Sequence, residues 1–179
     1  MLPFQERLLQ TIRVVPDFPK PGISFKDITP VLLDPVLVRD CVIEMANPLR
    51  NQGITKIIGI ESRGFLLGPM LAQELNCGFA IVRKKGKLPS ETAEISYELE
   101  YGSATIEIHR DAMGAGDKVF IHDDLLATGG TAAAAAKLAQ LLGAEVVGFG
   151  FLIGLGFLGG KQKLAEFSAP VYELLGFES

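Results

Sequence analysis

The chain of 179 residues has no tryptophan, only two histidines and two cysteines, and 8% aromatic residues. Cys41 and Cys77 stand far apart with no C-x-x-C pair, which excludes both a disulfide framework and the ligand spacing of a structural zinc site. Two buried or half-buried free thiols in a reducing cytoplasm are expected instead. His109 and His122 are isolated and give no basis for a dedicated protein metal centre. Neither sign of charge dominates: 17 Lys and Arg against 21 Asp and Glu leave a net −4, so no nucleic acid and no anionic membrane is an expected partner. Long apolar runs are missing as well. The longest uncharged stretch, Val146 to Gly160, holds six glycines and falls short of the roughly 20 residues that cross a bilayer. The opening MLPFQERLLQ carries Glu6 and Arg7 inside its apolar stretch and so lacks the uninterrupted core of a secretory signal.

What is present is the composition of a folded protein, 48% apolar and 21% charged, at a length that suits one domain over residues 1–179. Phe4, Leu8, Leu9, Ile12 and Val15 recur at helical spacing, predicting a helix that ends at Pro16. Asp34 before Pro35 reads as an N-cap opening a helix to about Gln52. Short β-branched runs then alternate with helical segments. Strands are expected at Lys56–Ile60, Phe79–Val82, Ala104–Ile108, Lys118–Ile121, Val146–Ile153 and Val171–Leu175, and helices at Gly64–Leu75, Thr131–Leu142 and Lys161–Phe167. That alternation predicts an α/β fold, a mostly parallel central sheet of about five strands flanked by helices. Arg83 to Ser103 is charged and irregular and reads as an exposed loop or hairpin.

The most informative segment is Val119 to Thr131, V-F-I-H-D-D-L-L-A-T-G-G-T. An apolar strand breaks into two carboxylates, Asp123 and Asp124, and then into a small-residue loop that opens a helix. Ala127, Thr128, Gly129, Gly130 and Thr131 offer backbone N–H groups and two hydroxyls at a helix N-terminus, where unpaired donors and the helix dipole favour a phosphate. Carboxylates at a strand's end accept hydrogen bonds from vicinal sugar hydroxyls. Gly154, Gly156 and Gly159 spell G-x-G-x-x-G, but the residues left after them are too few for a dinucleotide-binding unit.

This wording resembles the phosphoribosyl-diphosphate (PRPP) signature of the type I phosphoribosyltransferases, and DDLLATGGT resembles their adenine-specific branch. Three further segments extend the resemblance. Pro16–Thr29, PDFPKPGISFKDIT, resembles the family's segment over the base; Gly59–Pro69, GIESRGFLLGP, its pyrophosphate loop; Val82–Pro89, VRKKGKLP, the start of its mobile loop, which ends at Leu99–Gly102, LEYG.

The resemblance implies a type I phosphoribosyltransferase fold with a hood at roughly residues 1–33, a C-terminal contribution to it, and a mobile loop at roughly 84–103. It implies transfer of the 5-phosphoribosyl group from PRPP to adenine, giving AMP and pyrophosphate in purine salvage, by a cytoplasmic homodimer. Mg²⁺ would be held through PRPP, with no direct protein ligand. Asp123 and Asp124 fall at the ribose, and residues 127–131 at the 5-phosphate. Glu61, Ser62, Arg63, Arg83, Lys84 and Lys87 fall at the pyrophosphate, with a cis peptide before Ser62. Ser24, Phe25 and Lys26 fall at adenine, Phe25 stacking and its neighbours' backbone reading the base edge. Glu100 takes the place of the catalytic carboxylate, and Tyr101 caps the closed site. The alternatives are a phosphoribosyltransferase for another purine base and a PRPP-sensing regulator that binds nucleic acid.

Overall fold

The computed structural model describes residues 2–98 and 102–178. The chain opens with helix α1 (Phe4–Thr11) and strand β1 (Arg13–Val15), which pairs antiparallel with β2 (Phe25–Asp27). The first helix therefore stops earlier than its periodicity predicted. Ile12 is already extended, and the pairing of Arg13 to Val15 with the second strand outweighs one more helical turn of β-branched residues. A single turn, α2 (Thr29–Leu32), leads into α3 (Pro35–Ala46). Asp34 caps α3, accepting from Val36 N at 2.9 Å and Leu37 N at 3.0 Å, with Pro35 at the first helical position, where its missing N–H costs nothing. The helix ends at Ala46, ahead of the expected Gln52, and tightens into a 3₁₀ turn over Asn47–Leu49, because Pro48 cannot continue an α-helical ladder.

Alternating elements follow: β3 (Lys56–Ile60), α4 (Gly64–Glu74), β4 (Gly78–Lys84), β5 (Thr92–Glu98), β6 (Ser103–His109), β7 (Lys118–Leu126), α5 (Gly130–Leu141), β8 (Glu145–Leu155), α6 (Gly160–Leu164) and β9 (Val171–Phe177). One seven-stranded sheet results, in the order β5-β6-β4-β3-β7-β8-β9. Its five strands from β4 to β9 are parallel. The two added strands are the antiparallel hairpin β5-β6, which joins β4 through Arg83↔Glu107 and Lys84↔Ile106. The charged stretch before Ser103 thus contains a strand. Its signal is a period of two: Ala93, Ile95 and Tyr97 pack on the core while Glu94, Ser96 and Glu98 are exposed.

Two layers of helix cover the sheet. On one face the alanines of α5 lie against Ile58, Ile121, Phe149 and Phe151, small side chains that let helix and sheet approach closely. On the other, α3 and α4 bury Leu37, Met45, Leu67 and Leu71. Cys41 is buried there and Cys77 half-buried, both free, and burial pushes the Cys41 thiol up to about 12. The strand β7 runs five residues beyond the expected Ile121, paired with β8 as far as Leu126↔Gly154. The tandem carboxylates are therefore within a strand, not beyond its end.

Candidate active site

Asp123 and Asp124 lie in the C-terminal half of β7, facing opposite sides as strand geometry requires. Asp124 is 5% exposed. Its N–H donates to Asp123 Oδ1 at 2.9 Å, and Arg63 Nε lies 2.9 Å from Asp124 Oδ2. That oxygen is buried yet makes no hydrogen bond: the arginine is close enough to pair by charge but is not aligned to donate. Burial first, and the neighbouring Asp124 charge second, push the Asp123 carboxyl up to about 8. Asp124 is also raised, chiefly by burial. The pair therefore shares a proton near neutrality, because two adjacent carboxylates in a dry site resist double ionisation.

Ala127 to Gly129 connects β7 to α5, whose first two residues are Gly130 and Thr131. Gly129 has φ +77°, and a Cβ there would meet Gly160 O at 2.9 Å, so both conformation and space demand glycine. No side chain caps α5, which leaves its first backbone N–H groups directed out of the helix end. Thr131 Oγ1 lies 3.0 Å from the Tyr97 hydroxyl of β5.

The segment after β3 holds Glu61, Ser62 and Arg63, with the Glu61–Ser62 peptide cis; Phe18–Pro19 is cis as well. Glu61 grips Arg83 in a two-pronged pair, Nε and Nη2 each at 3.1 Å, and accepts Lys84 N–H at 3.0 Å. The arginine and these hydrogen bonds hold its carboxyl below the usual range. Arg83 also donates to Lys87 O at 3.2 Å. The buried Glu107 accepts from Lys87 N and Leu88 N, both at 2.8 Å. Two carboxylates thus fold the 83–88 turn, leaving the Lys84 and Lys87 side chains exposed beside Arg83. Glu61 places the cations, a role its inclusion in an anion site did not predict.

Ser24, Phe25 and Lys26 lie in or beside β2. The Phe25 ring is half-buried, edge-on to Phe18 at 5.1 Å between centroids and 5.5 Å from the Arg63 guanidinium carbon. Lys26 Nζ lies 3.2 Å from Ser24 Oγ and 4.7 Å from the centre of the Phe177 ring, so its side chain joins the β1-β2 ribbon to the C-terminal strand. Glu100 and Tyr101 lie outside the described residues. Sequence reasoning missed Tyr97, Glu107 and Phe177. Glu107 had a local signal, a lone acid between Ile106 and Ile108, and Tyr97 shared the period-two pattern of β5. The glycine-rich stretch also has a packing reason: the Glu173 carboxyl lies over Gly154, where a Cβ would come within 2.0 Å of its Cδ, and Lys161 pairs with it at 2.6 Å.

Anion donors, tandem carboxylates, a turn of cations and an aromatic ring meet at the carboxyl edge of a parallel sheet. The phosphoribosyl transferase domain model matches residues 38–175. The chain belongs to that family. The match begins inside α3 and runs into β9, so the ribbon carrying Phe25 lies outside the matched residues. Full-length relatives extend across it. The crystal structure of adenine phosphoribosyltransferase from Rhodothermus marinus is 55% identical, covers 97% of this chain and 98% of its own, and superposes with a TM-score of 0.92. The enzyme of that name from Nitrosococcus oceani is 52% identical over 91% of this chain and 95% of its own length. Adenine phosphoribosyltransferase from Saccharomyces cerevisiae, complexed with an imino-altritol bisphosphate and adenine, is 41% identical, covers 96% and 98% of the two chains, and has a TM-score of 0.90.

Proposed function

We propose that the protein transfers the 5-phosphoribosyl group from PRPP to adenine, releasing pyrophosphate and forming AMP, and so works in purine salvage. The observation that carries this reading is the buried, hydrogen-bond-free Asp124 Oδ2 directly ahead of an uncapped helix N-terminus, with Phe25 facing the same arginine. A polar atom in that condition is satisfied by a ligand hydroxyl.

In this reading Asp123 and Asp124 hold the ribose hydroxyls, and the N–H groups and hydroxyls of 127–131 hold the 5-phosphate. Arg63, Arg83, Lys84 and Lys87 draw charge from the departing pyrophosphate, while Glu61 and Ser62 set the loop that presents them. Phe25 stacks on adenine, and the backbone of Ser24 and Lys26 reads its edge. Glu100 exchanges a proton with the imidazole side of the base, and Tyr101 helps exclude water from the reacting carbon. The chain acts as a single domain whose hood spans roughly residues 1–33 and whose mobile segment, roughly 84–103, includes the hairpin strand β5.

Mg²⁺ suits this donor set. It takes phosphate oxygens and completes its shell with water, so it would be held by the pyrophosphate of PRPP beside Arg63, Arg83, Lys84 and Lys87, with no carboxylate of the chain as a direct ligand. When bound it neutralises the leaving charge. Two free thiols favour a reducing cytoplasm. Among the described residues no helix is long and apolar enough to cross a membrane. A second copy is the occupant we assign to the apolar groove lined by Leu32, Val38, Val42, Leu66 and Met70, beside which Leu33 is 83% exposed.

The deciding experiment is pyrophosphate release from PRPP and Mg²⁺ with adenine, hypoxanthine, guanine and xanthine offered separately. Release with adenine is expected. Release only with a 6-oxopurine overturns the base assignment at Phe25, and no release with any base overturns the enzyme reading. Light scattering of wild type and Leu33→Asp checks the dimer, which the charged variant should dissociate.

A further inference from the structure

The sheet brings one residue to the phosphate loop that no motif contains. Tyr97, in β5, lies 34 residues before Thr131, and its hydroxyl is 3.0 Å from Thr131 Oγ1. Its ring flanks the loop: a Cβ on Gly130 would lie 3.7 Å from Tyr97 Cδ2. Both residues are half-buried, and the ring packs on the same core cluster that holds the alanines of α5. The contact is made by the hairpin strand at the sheet's edge, whereas the loop itself runs from β7 into α5 and packs on Gly160 of α6.

We propose that Tyr97 is a positioning residue for the 5-phosphate, acting through Thr131; this rests on the reading of residues 127–131 as the phosphate cradle. A threonine hydroxyl has one proton and two lone pairs. A phosphate oxygen that is ionised only accepts, so Thr131 serves it as a donor, and its single proton must point at the anion. The tyrosine then donates its own proton to Thr131 Oγ1. This polarity is favoured because a phenol, with an ordinary pKa near 10, is a better donor than an alkyl hydroxyl. Each bond polarises the next, Tyr97 to Thr131 to phosphate. Without the phenol, Thr131 has other rotamers and acceptors for its proton, and the loop binds phosphate less well while keeping its backbone donors.

Three ligands separate the possibilities: ribose 5-phosphate, PRPP with Mg²⁺, and inorganic pyrophosphate with Mg²⁺. Tyr97→Phe keeps the ring against Gly130 and removes only the hydroxyl. Calorimetry should show ribose 5-phosphate affinity falling about three- to tenfold, with pyrophosphate affinity unchanged. In turnover, KM for PRPP should rise with kcat nearly constant. In a Thr131→Val background the Tyr97→Phe change should have no further effect, whereas Thr131→Ser should retain both affinity and sensitivity to Tyr97. Equal ribose 5-phosphate affinity in wild type and Tyr97→Phe overturns the proposal. So does an additive loss in the Val background, or a parallel loss for pyrophosphate, which would mark general loosening. If wild type itself fails to bind ribose 5-phosphate while binding pyrophosphate, the phosphate-cradle reading falls and the proposal with it.

Discussion

Arg63 Nε lies 2.9 Å from Asp124 Oδ2 without hydrogen-bond alignment, and the same guanidinium stands 5.5 Å from the centre of the Phe25 ring. One cation thus links the carboxylate pair to the aromatic wall. Arg63→Gln should lower kcat/KM for PRPP by roughly 10²- to 10³-fold, the usual effect of losing one donor to the charge that develops in the transition state. Arg63→Lys keeps the charge but loses the flat surface toward Phe25, and should fall between. Steady-state kinetics of both variants check this, and equal rates for Gln and wild type would remove Arg63 from the site.

The carboxylate pair makes a prediction about stability as well as activity. The Asp123 carboxyl sits at about 8 in the fold against 3.8 ordinarily, so between those values the folded chain keeps a proton that the unfolded chain has lost. Its contribution is complete below about pH 4 and disappears as pH rises through 8. Asp123→Asn should therefore melt at a higher temperature relative to wild type at pH 9 than at pH 6, while losing PRPP turnover. An equal offset at both pH values, read by thermal unfolding without ligand, would contradict the shared proton.

His122 carries the opposite sign. It is fully enclosed, Nδ1–H donating to Gly150 O at 3.0 Å, and burial lowers it to about 4 from 6.5. Between those values the unfolded chain binds a proton that the folded chain refuses, so stability falls as pH drops from 6.5 toward 4. The loss is roughly 2 kcal/mol at pH 5. His122→Val should lose less stability than wild type between pH 7.5 and pH 5 in urea unfolding; the same pH slope in both would rule the histidine out as its source.

Gly129 tests the loop backbone. Gly129→Ala places a Cβ 2.9 Å from Gly160 O at φ +77°, which costs about 2 kcal/mol from the left-handed conformation and displaced α6 together. The expected result is a folded protein with a lower Tm and a large rise in KM for PRPP. Wild-type KM would show that the loop's conformation is not what binds the phosphate.

The strand, loop and helix from Val119 to Leu141 were legible in the sequence because their signals are local: β-branched residues, then small residues, then an alanine run, each acting within a few positions. The N-cap at Asp34 was legible for the same reason. The extent of β7 was not, since two acids read as a strand end until pairing with β8 extends the ladder to Leu126. Nor was the stop of α1 at Thr11, decided by pairing with a strand twelve residues on. Tertiary structure alone decided which charges meet. The strand order β4-β3-β7 sets Arg83 against Glu61 and Arg63 against Asp124, the hairpin carries Tyr97 to Thr131 and Glu107 to the Lys87 turn, and β9 lays Glu173 over Gly154. Each of these contacts spans nineteen to more than sixty residues, and its partners carry no mark of one another in composition or period. The chain by itself determined the chemistry its residues can perform; sheet order determined which of them perform it together, because only packing fixes distances between groups far apart along the backbone.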